Sequence, residues 1–250
     1  MIHEGFPHLE IEGPRACIRF CRPVEHNRID PSDLAILKEH LQRVIADANV
    51  RVLVITGAGN KTFSSGYTIQ AIREQLDDRF ESFLDTLESL PLPVICALNG
   101  SAYGGAIDLA LCCDFRIGVN ASRMLMPASK FGLHYYPGGI RRYVTRLGLS
   151  VAKKLFLTAQ PVEAEEMLRI GFLTELVEPG RLHAVVSQYV AAIVECEPKV
   201  LSSMKHFLNQ AADGEIDLDA QRSAYEHFLT SDELGRRLSA FSRAGRDSAK

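Results

Sequence analysis

The chain has 250 residues, 46% of them hydrophobic and 24% charged, with a formal charge of −3 at neutral pH. Such a chain is long enough for a sizeable core in one large domain, and its mild acidity argues against general attraction to nucleic acid or an anionic membrane. No apolar run approaches the ~18 residues of a membrane span, and the opening MIHEGFPHLEIEG lacks the basic and apolar regions of a secretory signal, so a cytoplasmic protein is expected.

LEIEGPRACIRF reads as two alternating runs around a Gly-Pro turn, an opening hairpin. DPSDLAILKEHLQRVIADAN follows, with Asp30 as N-cap, Pro31 at the first helical position, and Leu34, Leu37, Leu41, Val44 and Ile45 on one face. VRVLVITG is the nearly continuous apolar run of a strand buried on both faces. A second helix, RFESFLDTLESL, leads through Pro91 and Pro93 to the strand VICAL. DFRIGV and LTELVE are further strands, SVAKKLFLTA and EAEEMLRIG further helices, and the pattern from Leu182 onward is helical. This alternation predicts an α/β core over residues 1–181 and a C-terminal helical packing or oligomerisation segment over 182–250, with no internal sequence repeat. Cys17, Cys21, Cys96, Cys112, Cys113 and Cys196 show no metal-ligand spacing and read as buried thiols.

Two places set glycines after a strand. VLVITGAGNKTF fits neither a P-loop, which needs GxxxxGK followed by Ser or Thr, nor a dinucleotide fingerprint, which needs a third glycine where Thr62 stands. In SAYGGAIDLALCCDF, Gly104 and Gly105 stand before a helical pattern, where bare amides at a helix N-terminus suit developing negative charge. Close strand–helix packing is the other reading of the same glycines.

Taken in order, TFSSGYTI, PVICALNGSAYGGAIDLALCCDFRI, MPASKFGLHYYPGGIRRYVTRLG and LTAQPVEAEEMLRIGFLTELVEP resemble the enoyl-CoA hydratase/isomerase (crotonase) superfamily. The resemblance implies a spiral of repeated ββα units with C-terminal helices, a homotrimer or hexamer, and an acyl-CoA or acyl-carrier thioester as substrate. No cofactor is implied beyond coenzyme A as part of that substrate, and no metal. It also implies that the thioester oxygen is held by the backbone amides of Tyr67, after Ser65 and Gly66, and of Gly105, after Gly104.

Family hydratases carry glutamates where this chain has Asp108 and Ala128. The resemblance therefore argues against ordinary hydration, which uses two carboxylates to hold one water. Asp108 is either catalytic or a first-turn aspartate favouring the helix dipole. GLHYYPGGI is similar in spacing to methylmalonyl-CoA decarboxylase, with Tyr135 aligned to that enzyme's tyrosine. Tyr135 and Tyr136 either donate phenol hydrogen bonds to the acyl group or simply fill its pocket, and His134 is either a base or structural. Arg141 and Arg142 read as contacts to a partner subunit or CoA phosphates, or as a solvated helix start. Decarboxylation of a malonyl-type thioester is thus expected ahead of isomerisation, and isomerisation ahead of hydration. A non-catalytic thioester-binding or assembly protein is the alternative of a different class.

Overall fold

The computed structural model describes residues 5–247, with side chains through Ser242. The opening residues Met1 to Glu4 lie outside the described residues, as do the last three of the C-terminal segment. β1 (His8–Glu12) and β2 (Arg15–Phe20) form the expected antiparallel hairpin across Gly13 and Pro14. α1 covers Asp33–Ala46, starting later than Pro31. The reason is that the Asp33 carboxylate, fully buried, accepts the Asp30 N–H at 2.9 Å and Arg22 Nη2 at 2.9 Å, while Asp30 itself accepts Arg28 Nε at 2.8 Å and the Thr68 hydroxyl. Asp33 rather than Asp30 therefore ties the turn. Leu34, Leu37, Leu41 and Val44 are buried as expected, but Ile45, one position further round the helix, is 49% exposed.

Three turns of chain then repeat one plan. β3 (Val52–Gly57) and β4 (Thr62–Ser64) precede α2 (Ile72–Gln75) and α3 (Asp78–Glu88). β5 (Val94–Leu98) and β6 (Ser101–Tyr103) precede α4 (Gly105–Cys112), and β7 (Phe115–Val119) and β8 (Arg123–Leu125) precede α5 (Pro137–Leu147). The longer strand of each pair joins one sheet, ordered β1-β2-β3-β5-β7-β10 with β10 at Glu175–Val177, and the shorter joins a second, ordered β4-β6-β8-β9 with β9 at Val162–Glu163. Strands β2-β3-β5-β7 of the first sheet and β4-β6-β8 of the second run parallel, so the chain advances as a spiral of ββα units, with antiparallel pairs at β1/β2 and β8/β9. The repeat lives in the geometry and not in the letters: VLVITG, VICAL and FRIGV share burial but little identity.

α6 (Leu149–Thr158), β9 (Val162–Glu163), α7 (Ala164–Arg169) and β10 (Glu175–Val177) complete the core. α8 (Leu182–Glu195) lays Val185, Val186 and Ile193 against Val52, Val54, Ile95 and Ile117 of the first sheet. Beyond it, α9 (Pro198–Asp213) and α10 (Leu218–Leu229) bury no residue fully, and α11 spans Asp232–Asp247. Five cysteines are buried, whereas Cys196 is exposed, because it sits at the surface end of α8 with its thiol on Ala192 O. Among the described residues, no helix is long and apolar enough to cross a membrane, and no group of three or more His, Cys, Asp or Glu could hold a metal ion.

Candidate active site

The spiral brings the two glycine sites together. Ser64 at the end of β4 donates its buried hydroxyl to Asn27 O at 2.7 Å and accepts the Gly66 N–H at 3.1 Å, which pins the loop before Tyr67. Gly66 has φ of +79°, and a β-carbon there would lie 2.5 Å from Tyr103 O and 2.8 Å from Gly105 N, so no side chain fits between the loops. The bridge to Ile29 uses Gly66 O and Thr68 N, bypassing the Tyr67 N–H, which has no acceptor among the described residues. Gly105 opens α4, where helix geometry leaves the first N–H groups free. A β-carbon at Gly105 would stand 3.6 Å from Tyr67 N and 2.8 Å from Phe80 Cζ. Two unpaired amides from successive turns of the spiral thus lie side by side.

Both residues line a cavity of ≈ 300 Å³, together with Ser65, Gly104, His134, Tyr135 and Tyr136. The remaining wall is almost wholly apolar and includes Ile72, Leu76, Phe80, Met126, Phe131 and Leu133. Ala128 presents only a methyl group where the resemblance would put a glutamate. The Tyr67 hydroxyl donates to Gln75 O at 2.8 Å, and its ring meets Phe80 edge-on at 5.4 Å, so this side chain is wall rather than reagent. His134 keeps Nδ1 2.8 Å from Tyr135 O.

Asp108 lies outside this lining. It is fully buried behind the tyrosines, with Arg142 Nε donating to Oδ1 at 2.8 Å. The Tyr136 hydroxyl donates to Oδ2, and the Tyr135 hydroxyl reaches the same oxygen at 3.4 Å. The two phenol rings stack at 4.5 Å. Burial, and then the Asp108 charge beside them, raise both phenols above their ordinary pKa, so both stand as neutral hydrogen-bond donors.

Arg142 corrects the sequence reading most sharply. It is neither a solvated helix start nor a phosphate contact: it is fully buried, and besides Asp108 it reaches Asp85 at 2.7 Å and Glu88 at 3.2 Å. Burial opposes its charge, and the anionic groups around it, Asp108 and Asp85 among them, outweigh that cost and raise its pKa. Arg141 likewise turns inward to Glu88 and Asp213, and Lys205 to Asp114 at 2.8 Å. Arg236 and Arg237 pair with Glu233. Phe80, which closes over Gly105, was not singled out by the sequence; its only signal is its place on the apolar face of RFESFLDTLESL.

A family model described as enoyl-CoA hydratase/isomerase matches residues 10–242. The chain belongs to the enoyl-CoA hydratase/isomerase family. It is 32% identical to a short-chain-enoyl-CoA hydratase of Clostridium acetobutylicum over 235 residues, covering 90% of each chain. It is 30% identical to a crotonyl-CoA hydratase of Syntrophomonas wolfei, covering 84% of this chain and 83% of the other, and 30% identical to a carnitinyl-CoA dehydratase of Salmonella arizonae, covering 84% and 82%. The crystal structure of an enoyl-CoA hydratase from Bacillus anthracis superposes with a TM-score of 0.86 at 24% identity, over 96% of this chain and 97% of that one. That likeness bears on the fold, and it matches the crotonase-type spiral expected from the four motifs.

Proposed function

We propose that this family member binds an acyl-CoA or acyl-carrier thioester in the ≈ 300 Å³ cavity and works through an enolate whose oxygen is held by the Tyr67 and Gly105 amides. The observation that carries the reading is the convergence of two unpaired N–H groups on one apolar cavity. Such donors, fixed before the reaction and shielded from water, contribute roughly 3 to 4 kcal/mol each in other oxyanion holes. Ser65, Gly66 and Gly104 shape the loops that present them, and His134, Tyr135 and Tyr136 face the acyl group. No helper is required beyond coenzyme A as part of the substrate.

For the reaction, the relatives favour water addition or elimination, since those described above bear hydratase or dehydratase names and none is named a decarboxylase. In that reaction hydroxide adds to C3 of a 2-enoyl thioester, the electron pair moves to the thioester oxygen, and C2 then takes a proton. This chain would have to perform it without the usual pair of free carboxylates, because Asp108 is committed to Arg142 and position 128 is alanine. That same observation supports decarboxylation as a second reading. When the bond from C2 to a carboxylate breaks, the electron pair forms the same enolate as carbon dioxide leaves, and only a proton donor such as a neutral phenol is then needed. Incubation with malonyl, methylmalonyl, 2-enoyl and 3-enoyl thioesters, followed by mass, separates the readings. Water gain supports the first and carbon dioxide loss the second. Isomerisation of the 3-enoyl substrate would identify an isomerase, and binding without turnover would leave an assembly role.

The C-terminal segment 182–250 belongs to the same proposal as a packing and oligomerisation element of a homotrimer or hexamer. Support comes from the large apolar side chains it leaves uncovered, among them Met204, Leu208, Tyr225 and Phe241.

A further inference from the structure

Arg142 is a guanidinium with no exposure, aimed at a carboxylate with no exposure, and that carboxylate in turn accepts from the two phenols that line the acyl cavity. A bare structural pair would be a poor use of such a site. Replacing a buried ion pair with apolar groups is often neutral or stabilising, so its presence calls for another account. The chain of contacts supplies one. Carboxylate oxygens only accept, so Asp108 draws the Tyr136 hydroxyl proton to itself and fixes that O–H bond, while the Tyr135 hydroxyl, 3.4 Å from the same oxygen, is the weaker contact whose proton can turn to the substrate, and the stacked rings are set at one height against the cavity.

We propose that Arg142 is a positioning residue for the acyl site: by donating to Asp108 it fixes the carboxylate that the phenols meet, and so sets the orientation of Tyr135 and Tyr136 toward the substrate. Asp85 and Glu88 on α3 complete the guanidinium's contacts and keep its fork in register, so three carboxylates from two helices aim one arginine. The other titratable groups around Asp108 are Tyr143 beside Arg142 and Cys112 one turn along α4, and burial pushes the pKa of both well up. Arg142 does not reach the cavity lining itself and acts through Asp108. The proposal rests on the acyl-thioester reading only for its kinetic part.

The test uses the full-length protein with Arg142→Lys, Arg142→Gln and the double variant Asp108→Asn/Arg142→Gln, each normalised to folded protein by its thermal melt. Arg142→Gln strands a buried carboxylate and is the variant most prone to misfold; the double variant removes that charge and restores a foldable neutral pair. On the thioester that the wild type turns over, kcat should fall about ten- to a hundredfold in all three, the loss expected when hydrogen bonds to a charged group go astray, with KM little changed. Recovery of kcat in the double variant, or unchanged kcat in Arg142→Lys, overturns the proposal. An independent readout comes from protein labelled with ¹³C at the tyrosine ζ carbon. The Tyr135 and Tyr136 resonances should move in Arg142→Lys, while that of the exposed Tyr225 stays fixed. If the wild type turns over no thioester, the enolate reading fails, and the resonances alone decide: unmoved signals from both buried tyrosines overturn the positioning role.

Discussion

Gly105 is where one methyl group would do the most damage. A β-carbon there would meet Phe80 Cζ at 2.8 Å on the cavity side, close beside the Tyr67 amide. Gly105→Ala should therefore fold with a loss of about 1–3 kcal/mol from overpacking, yet lower kcat about a hundredfold or more by displacing the bound oxygen from its donors. Steady-state kinetics beside a denaturation curve separate the two effects. Tyr135→Phe is the milder probe, because it keeps the ring stacked on Tyr136 and removes one hydroxyl. Under the decarboxylation reading turnover should drop about ten- to a hundredfold, as expected when a hydrogen bond to a charged carboxylate is lost in the transition state, whereas under the water-addition reading the effect should be small. At this scale the sequence spoke through its motifs. Gly104 and Gly105 stood out because glycines before a helical pattern are visible in the letters, whereas Tyr67 entered only through the family resemblance carried by TFSSGYTI. Arg142 stayed hidden because an arginine in the first turns of a helix looks the same whether it faces water or three carboxylates brought from distant helices.

Among the elements, α9 shows how a mostly exposed helix is fixed to the core. Lys205 crosses to Asp114 at 2.8 Å and to Leu92 O at 3.0 Å, where Asp114 also caps the start of β5 by accepting the Val94 N–H at 2.7 Å. Lys205→Met keeps the aliphatic stem but removes both bonds, and should cost about 1–3 kcal/mol, read as a lower urea midpoint with an unchanged slope. A midpoint equal to the wild type's would mean that α9 is held without this contact, by its packing and its other polar ties, Arg141 to Asp213 and Arg146 to Asn209. Elements were legible in sequence where the pattern was strong: β3 and β5 fall on continuous apolar runs, and α3 where helical spacing puts it. The start of α1 was not, because Asp33 competes with Asp30 for the same turn and wins through a partner, Arg22, that comes from another part of the chain.

At the scale of the whole molecule, the last helices leave an unpaired surface. Met204, Leu208 and Phe228 border a groove of ≈ 730 Å³ between α9, α10 and α11, and Leu229 and Leu238 are also more than half exposed. Light scattering should give a mass of three or six chains, and Leu208→Asp should shift it toward one; a wild-type monomer across a broad concentration range would exclude the trimer and hexamer. The spiral itself was legible only through resemblance, because its repeat consists of burial and direction, which different letters satisfy equally well. The feature with the widest consequence is the origin of the paired amides in successive turns. Their spacing is the pitch of the spiral, set by the parallel register of β4 against β6, with Thr62 opposite Ser101 and Ser64 opposite Ala102. Under the proposed oxyanion role, charge stabilisation is vested in the scaffold, while the side chains at 108, 128, 135 and 136 are a replaceable toolkit mounted on it. A lineage built this way can exchange its reagents and so change its reaction without rebuilding the part that makes the intermediate accessible.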